Sequence, residues 1–174
     1  MAPRTKGQAK DAASLVFSPY LYLGPRTSVS PRFIRAHGIT HVLSIGATPA
    51  SKDLAGVIYH RLSLLDDTAS SIDDVSDAAN EIITALPKNG KILVHCSAAI
   101  SRSPTIVAAY LMKKCDMSLR EALGVIIRAR PAVCPNSGFL VQLKELEVRL
   151  RGASSLEVDS LPARKDERIA LFAD

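Results

Sequence analysis

The residues of this 174-residue chain best suited to chemistry are a cysteine and an arginine six positions further on, in His95-Cys96-Ser97-Ala98-Ala99-Ile100-Ser101-Arg102-Ser103. Ahead of them Ile92-Leu93-Val94 suits a short buried strand. Behind them Ile106 to Met112 is apolar nearly all round, as in a helix lying in a core. A strand that ends in a loop and continues as a helix aims the loop amides and the helix N-terminus at one point, and the helix dipole adds positive potential there. A thiol at such a point, beside an arginine, is favoured as the nucleophilic thiolate. Arg102 offers a planar fork able to grip two phosphate oxygens. The pattern therefore predicts attack of Cys96 on phosphorus and a phosphocysteine intermediate. A Cys and an Arg at this spacing alone fit a strand-end cysteine and a surface charge better. The strand-loop-helix context, with His95 and Ser103 as neighbours, decides for the cradle.

These groups need a scaffold, and the chain alternates strands with helices. Leu15-Val16-Phe17 and Leu21-Tyr22-Leu23 read as short strands around Ser18-Pro19, and Thr40 to Ile45 and Val57 to Leu64 as two more. Ser30 predicts a helix cap, with Pro31 at the first position and Gly38 just past the end. Ser71 is expected to open a longer helix with Asp73 and Asp74 in its first turn, where the dipole favours anions. Its apolar stripe runs Val75, Ala78, Ala79, Ile82, Ile83 and Leu86, and Pro87 and Gly90 end it. Ser118 with Glu121 forms a capping box. Pro131 stops that helix, and Asn136 caps a last one carrying Phe139, Leu140, Leu143, Leu146 and Leu150. The alternation predicts an α/β sandwich around a mostly buried central sheet. Residues 1–12 and 152–174 are small, polar and charged, and are expected as flexible tails around a domain of residues 13–151. Within the second tail, Ile169-Ala170-Leu171-Phe172 is the piece able to dock.

Composition bounds the rest. Apolar residues make up 47% and charged residues 22%, as in an ordinary soluble globular protein. The formal charge of +5 favours anionic partners in general, and fits a solvated surface at least as well. There is no Trp and few Phe or Tyr, so stacking platforms for single-stranded nucleic acid are not expected. Cys96, Cys115 and Cys134 are too few and too odd in number for a disulfide framework, and no Cys-x-x-Cys suggests zinc. Cys115 and Cys134 are expected as packed, inert thiols, the other reading being a trap that oxidises with Cys96. Reduced thiols, no apolar run of membrane-spanning length and no signal-peptide pattern lead to cytoplasm or nucleus by elimination.

The segment around Cys96 and Arg102 is similar to the signature of the cysteine-dependent protein tyrosine phosphatases. Its continuation Ile100-Ser101-Arg102-Ser103-Pro104-Thr105 and Ile106-Val107-Ala108-Ala109-Tyr110-Leu111-Met112 resembles the small dual-specificity phosphatases. Tyr20-Leu21-Tyr22-Leu23-Gly24, Gly38-Ile39-Thr40-His41-Val42-Leu43 and Arg130-Pro131 through Pro135-Asn136-Ser137-Gly138-Phe139 resemble that family in the same order, so the likeness covers residues 14–150. It implies a three-layer sandwich whose sheet has about five strands, mixed but mostly parallel. It also implies a phosphorylated protein substrate, with no cofactor, metal, nucleic acid or membrane partner.

The resemblance assigns roles. Cys96 attacks, Arg102 binds phosphate, Ser103 helps the thiolate leave, and Ser97, Ala98, Ala99, Ile100 and Ser101 line the anion. His95 and Asn136 organise the site from outside the cradle. An acid must protonate the leaving oxygen. The family places it on a loop after a strand, which points to Asp66, with Asp67 as rival; both also fit solvated loop carboxylates. The five loop residues carry no Lys or Arg, where relatives acting on inositol phospholipids or RNA triphosphate ends tend to need more charge. Ala99 stands where the family usually has Gly, and a positive φ there would strain an alanine by about 1 kcal/mol. Ala99 alone supports a second reading, a binding module with impaired turnover. A third, an arsenate reductase or sulfur transferase with the same cradle, is disfavoured by Asp66 and Pro135-Asn136.

Overall fold

The computed structural model describes residues 12–173, so the N-terminal tail expected over residues 1–12 lies outside the described residues except for Ala12. Five short strands are present: β1 (Ser14–Phe17), β2 (Leu21–Pro25), β3 (His41–Ile45), β4 (Ile58–Leu62) and β5 (Ile92–Cys96). They form one sheet in the order β1-β2-β5-β3-β4. β1 runs antiparallel to β2, and the other pairings are parallel. β2, β3 and β5 are buried at every residue, as a parallel sheet covered on both faces requires.

Alternate residues of the central strands point to opposite faces. Leu21, Leu23, Leu43, Ile45, Ile92 and Val94 enter the larger core, while Tyr22, Val42 and Leu93 enter a smaller one with Ile34 and Ile39. Ile34 belongs to α1 (Pro31–His37), which Ser30 caps by accepting from the Phe33 amide at 3.2 Å. The larger core is closed by α2 (Asp73–Thr84), α3 (Arg102–Lys114), α4 (Leu119–Ala129), α5 (Ser137–Arg151) and the short α6 (Lys165–Leu171). The result is the expected three-layer α/β sandwich, with β5 in the middle of its sheet.

α3 has no polar stripe because Ser103 through Met112 are all buried. Burial of each of its large apolar side chains is worth about 1.5–3 kcal/mol, so packing rather than propensity holds this helix. The capping box of Ser118 and Glu121 forms at the start of α4. α2 begins at Asp73 rather than Ser71, with Ile72 at its N-cap. The Ile72 amide donates instead to Oε1 of Gln142 at 2.9 Å, which turns the chain one step later.

The C-terminal segment requires a correction. The tail expected over residues 152–174 is packed where it is described: Leu156, Leu161, Arg168 and Phe172 are buried. Buried Glu147 of α5 accepts from the Leu119 amide at 2.7 Å and from the Ser155 amide and hydroxyl, both at 2.8 Å. Arg168 donates to the carbonyls of Pro162 (2.7 Å), Ala163 (2.6 Å) and Pro131 (3.2 Å). Arg120 and Arg128 donate to the last carbonyls of this segment, on Leu171 and Phe172. Its anchors are single side chains at irregular intervals and hydrogen bonds to distant residues, neither of which has a period.

Candidate active site

The loop between β5 and α3 is pinned from outside through its carbonyls. The Arg26 amide donates to Ser97 O at 3.1 Å and the Cys134 amide to Ile100 O at 2.8 Å, while Ser101 O takes the Thr105 amide and hydroxyl at 3.1 and 2.7 Å. The Ser101 hydroxyl does not cap α3 but accepts from the Asn136 amide at 3.0 Å. The amides of residues 98–101 have no hydrogen-bond partner among the described residues. A turn of unpaired amides at a helix N-terminus is a receptor for an oxyanion.

At the base lies Cys96, 2% exposed. The Ser103 hydroxyl donates to its Sγ at 3.2 Å. Arg102 arches over the loop, donating through Nη2 to Ser97 Oγ at 3.0 Å and through Nη1 to the Gly46 carbonyl. Its Nε is buried without a partner and remains as a donor. Gly46 was missed in the sequence, although a glycine directly after the buried run of β3 was the available signal. A Cβ there would stand 2.0 Å from Leu64 O and 2.9 Å from Nη1 of Arg102, and its φ is +59°. Only glycine brings this carbonyl to the guanidinium.

His95 sits behind the loop on the opposite face of β5 from Cys96. It is fully buried, with Nε2 2.6 Å from Ser44 Oγ and Nδ1 3.1 Å from the Cys96 carbonyl. Burial pushes its pKa below 6.5, opposed by the Cys96 carbonyl and helped by nearby Arg26. A neutral ring that donates through Nδ1 to Cys96 O leaves Nε2 to accept from the Ser44 hydroxyl. Ser44 was likewise missed, and its place opposite His95 in the β3–β5 ladder is visible only once the strands pair.

Ala99 is fully buried with φ +55°. The loop thus requires the left-handed conformation at this position, and the alanine adopts it at about 1 kcal/mol. The cradle contacts form nonetheless.

The two candidate acids part company. Asn136 donates through Nδ2 to Asp66 Oδ1 at 2.9 Å, and the same residue reaches Ser101 of the cradle through its amide. Its Oδ1 meanwhile caps α5, accepting from the Phe139 amide at 2.9 Å. Asp67 turns back on its own loop, its Oδ1 accepting from the Ala69 amide at 2.7 Å. Asp66 is therefore joined to the cradle by one residue, and Asp67 is not. Burial pushes the Cys115 thiol up, away from reactivity. Among the described residues, no cluster of three or more His, Cys, Asp or Glu is placed to hold a metal ion, and no helix is long and apolar enough to cross a membrane.

A thiol at the end of a central parallel strand, followed by a loop that an arginine fork spans and by a buried helix, is an arrangement suited to cysteine-based phosphoryl transfer. The model of the family "Dual specificity phosphatase, catalytic domain" matches residues 21–149. Dual specificity protein phosphatase 19 of Mus musculus is 33% identical over 150 residues, spanning 85% of this chain and 67% of that protein. Dual specificity protein phosphatase 14 of Mus musculus is 33% identical over 165 residues, spanning 93% and 83%. The crystal structure of DUSP15 superposes with a TM-score of 0.70 at 30% identity, covering 82% of this chain and 96% of that one. Some relatives are longer, and the chain spans 34% of one from Dictyostelium discoideum. The chain belongs to the dual specificity phosphatase family, the cysteine-based protein phosphatases.

Proposed function

We propose that the protein hydrolyses phosphotyrosine and phosphoserine or phosphothreonine monoesters on proteins in two steps, with Cys96 as nucleophile and Asp66 as acid and then base. The contact that most supports this is the Ser103 hydroxyl on Cys96 Sγ, at the base of a loop whose amides are unpaired. In the first step Sγ attacks phosphorus, an S–P bond forms and the P–O bond breaks. The Asp66 carboxyl gives its proton to the departing oxygen. Arg102 and the loop amides hold the non-bridging oxygens, where charge concentrates in transfer. In the second step Asp66, now a carboxylate, takes a proton from water as it attacks phosphorus. The S–P bond breaks, inorganic phosphate leaves, and the Ser103 hydroxyl stabilises the returning thiolate.

Two features support a protein monoester as substrate. The loop adds no side-chain cation to Arg102, which fits one phosphate rather than a polyphosphate. Leu65 beside Asp66 and Ile100 in the loop are exposed apolar side chains, suited to a side chain or ring carrying the phosphate. Chemistry that needs a reduced Cys96 fits the cytoplasm or nucleus.

The test is hydrolysis of p-nitrophenyl phosphate with a chelator present, for the unmodified protein and Cys96→Ser. Turnover by the first and none by the second is expected. Turnover retained in Cys96→Ser refutes the mechanism.

A further inference from the structure

The segment carrying Asp66 makes few contacts of its own. Residues 65–69 are exposed, and the internal bonds of the stretch are the Asp67 turn and the Ser70 amide on Asp67 O at 3.2 Å. What shapes it is α5, some seventy positions later in the chain. The Gln142 side chain spans its far end, donating through Nε2 to Ser70 O at 2.8 Å and accepting through Oε1 from the Ile72 amide at 2.9 Å. Both polar atoms of one amide are thereby used on two backbone groups of the same loop, as a second strand would use them. One turn earlier, Gly138 lets the Thr68 backbone lie directly on the helix. A Cβ there would stand 2.1 Å from Thr68 O and 2.5 Å from Thr68 Cα. Two residues earlier, at the N-cap of α5, Asn136 holds the Asp66 carboxyl itself.

We infer that Gln142 is a positioning residue for the general acid. With Gly138 it clamps residues 68–72 onto α5 in the register that delivers Asp66 to Asn136 and the cradle. The acid is then held in place before substrate arrives. Gln142 meets neither phosphate nor the leaving group and acts only through the loop. The inference rests on Asp66 being the acid.

A misplaced acid harms only those reactions that need one. Gln142→Met keeps the length of the side chain and removes both hydrogen bonds. It is expected to lower kcat/KM, which ends at P–O cleavage and leaves out the hydrolysis step common to all esters, by about 10-fold or more on a poor leaving group, such as phenyl phosphate or a phosphoserine peptide, with a much smaller loss on p-nitrophenyl phosphate. Gly138→Ala pushes the Thr68 backbone away by a separate route and should give the same leaving-group signature. In an Asp66→Ala background Gln142→Met should have little further effect, since the group it positions is gone. Equal losses on both classes of ester, or a full further loss in the Asp66→Ala background, would make Gln142 merely structural and overturn the inference. Unchanged phenyl phosphate turnover in a folded Gln142→Met or Gly138→Ala protein would overturn it too. If Asp66→Ala itself shows no dependence on leaving group, the acid assignment fails and takes this inference with it. A normal Asp66→Ala response beside a flat Gln142→Met response removes the inference alone.

Discussion

The loop of Cys96 and Arg102 and the loop of Asp66 are joined through Asn136 but are built in opposite ways. Residues 96–102 lie between two buried elements that are adjacent in sequence, so β5 and α3 fix both ends of the turn. Distant residues hold its carbonyls in place, yet Cys96, Arg102 and the unpaired amides all come from one short stretch. Residues 65–72 join β4, at the sheet edge, to α2, and borrow their shape from Asn136, Gly138 and Gln142. A loop that carries its own chemistry can be read from its sequence. One shaped by a helix elsewhere in the chain cannot.

The largest effects separate the two loops by leaving group. Asp66→Ala should lower kcat/KM on phenyl phosphate by about 10²–10⁴-fold and on p-nitrophenyl phosphate far less, while Asp67→Ala should stay within a few-fold on both. The reverse ranking would give the acid role to Asp67 and cut the link through Asn136. Arg102→Lys keeps the charge but loses the fork, and should lower kcat/KM by about 10²–10³-fold on both esters alike. A loss confined to the poor leaving group would mean that the two loops do not divide the work in this way.

How far each loop was legible follows from the same contrast. The positions of Cys96, Arg102, Ser103 and the strand and helix around them all followed from apolar runs a few residues long. The choice between Asp66 and Asp67 stayed open because only Asn136, seventy positions away, distinguishes them. Ser44 supports the cradle from β3 and was invisible for the same reason, while Gly46, just past β3, showed only as a glycine after a buried run. The C-terminal segment failed more fully. Ser155, Leu156, Leu161, Arg168 and Phe172 have no periodicity, and their partners Glu147 and Pro131 sit on other elements.

Two smaller effects probe the self-contained loop. Burial keeps the His95 pKa below 6.5, and that of His41 is lowered by burial and by His60. Below pH 6.5 the unfolded chain takes up protons that these rings refuse when folded. Stability should therefore fall as pH drops beneath 6.5, by at most about 1.4 kcal/mol per pH unit for each ring, and be insensitive to them above it. Urea unfolding at pH 7.5 and 5.5 should show a smaller drop for His95→Asn than for the unmodified protein; an equal drop would mean that His95 is not held neutral. Ala99→Gly should relieve the positive φ and raise stability by about 1 kcal/mol, or about 2–4 °C in Tm, without loss of turnover. A lower Tm would show that the alanine packs well enough to outweigh its backbone strain.

The most direct test of the account is to mix the protein with a ³²P-labelled phosphopeptide, quench during turnover and map the labelled residue. Label is expected on the peptide containing Cys96, in a larger steady-state amount in Ser103→Ala, where thiolate release is slowed, and not at all in Cys96→Ser. Turnover with no label on Cys96, or label persisting in Cys96→Ser, would contradict it.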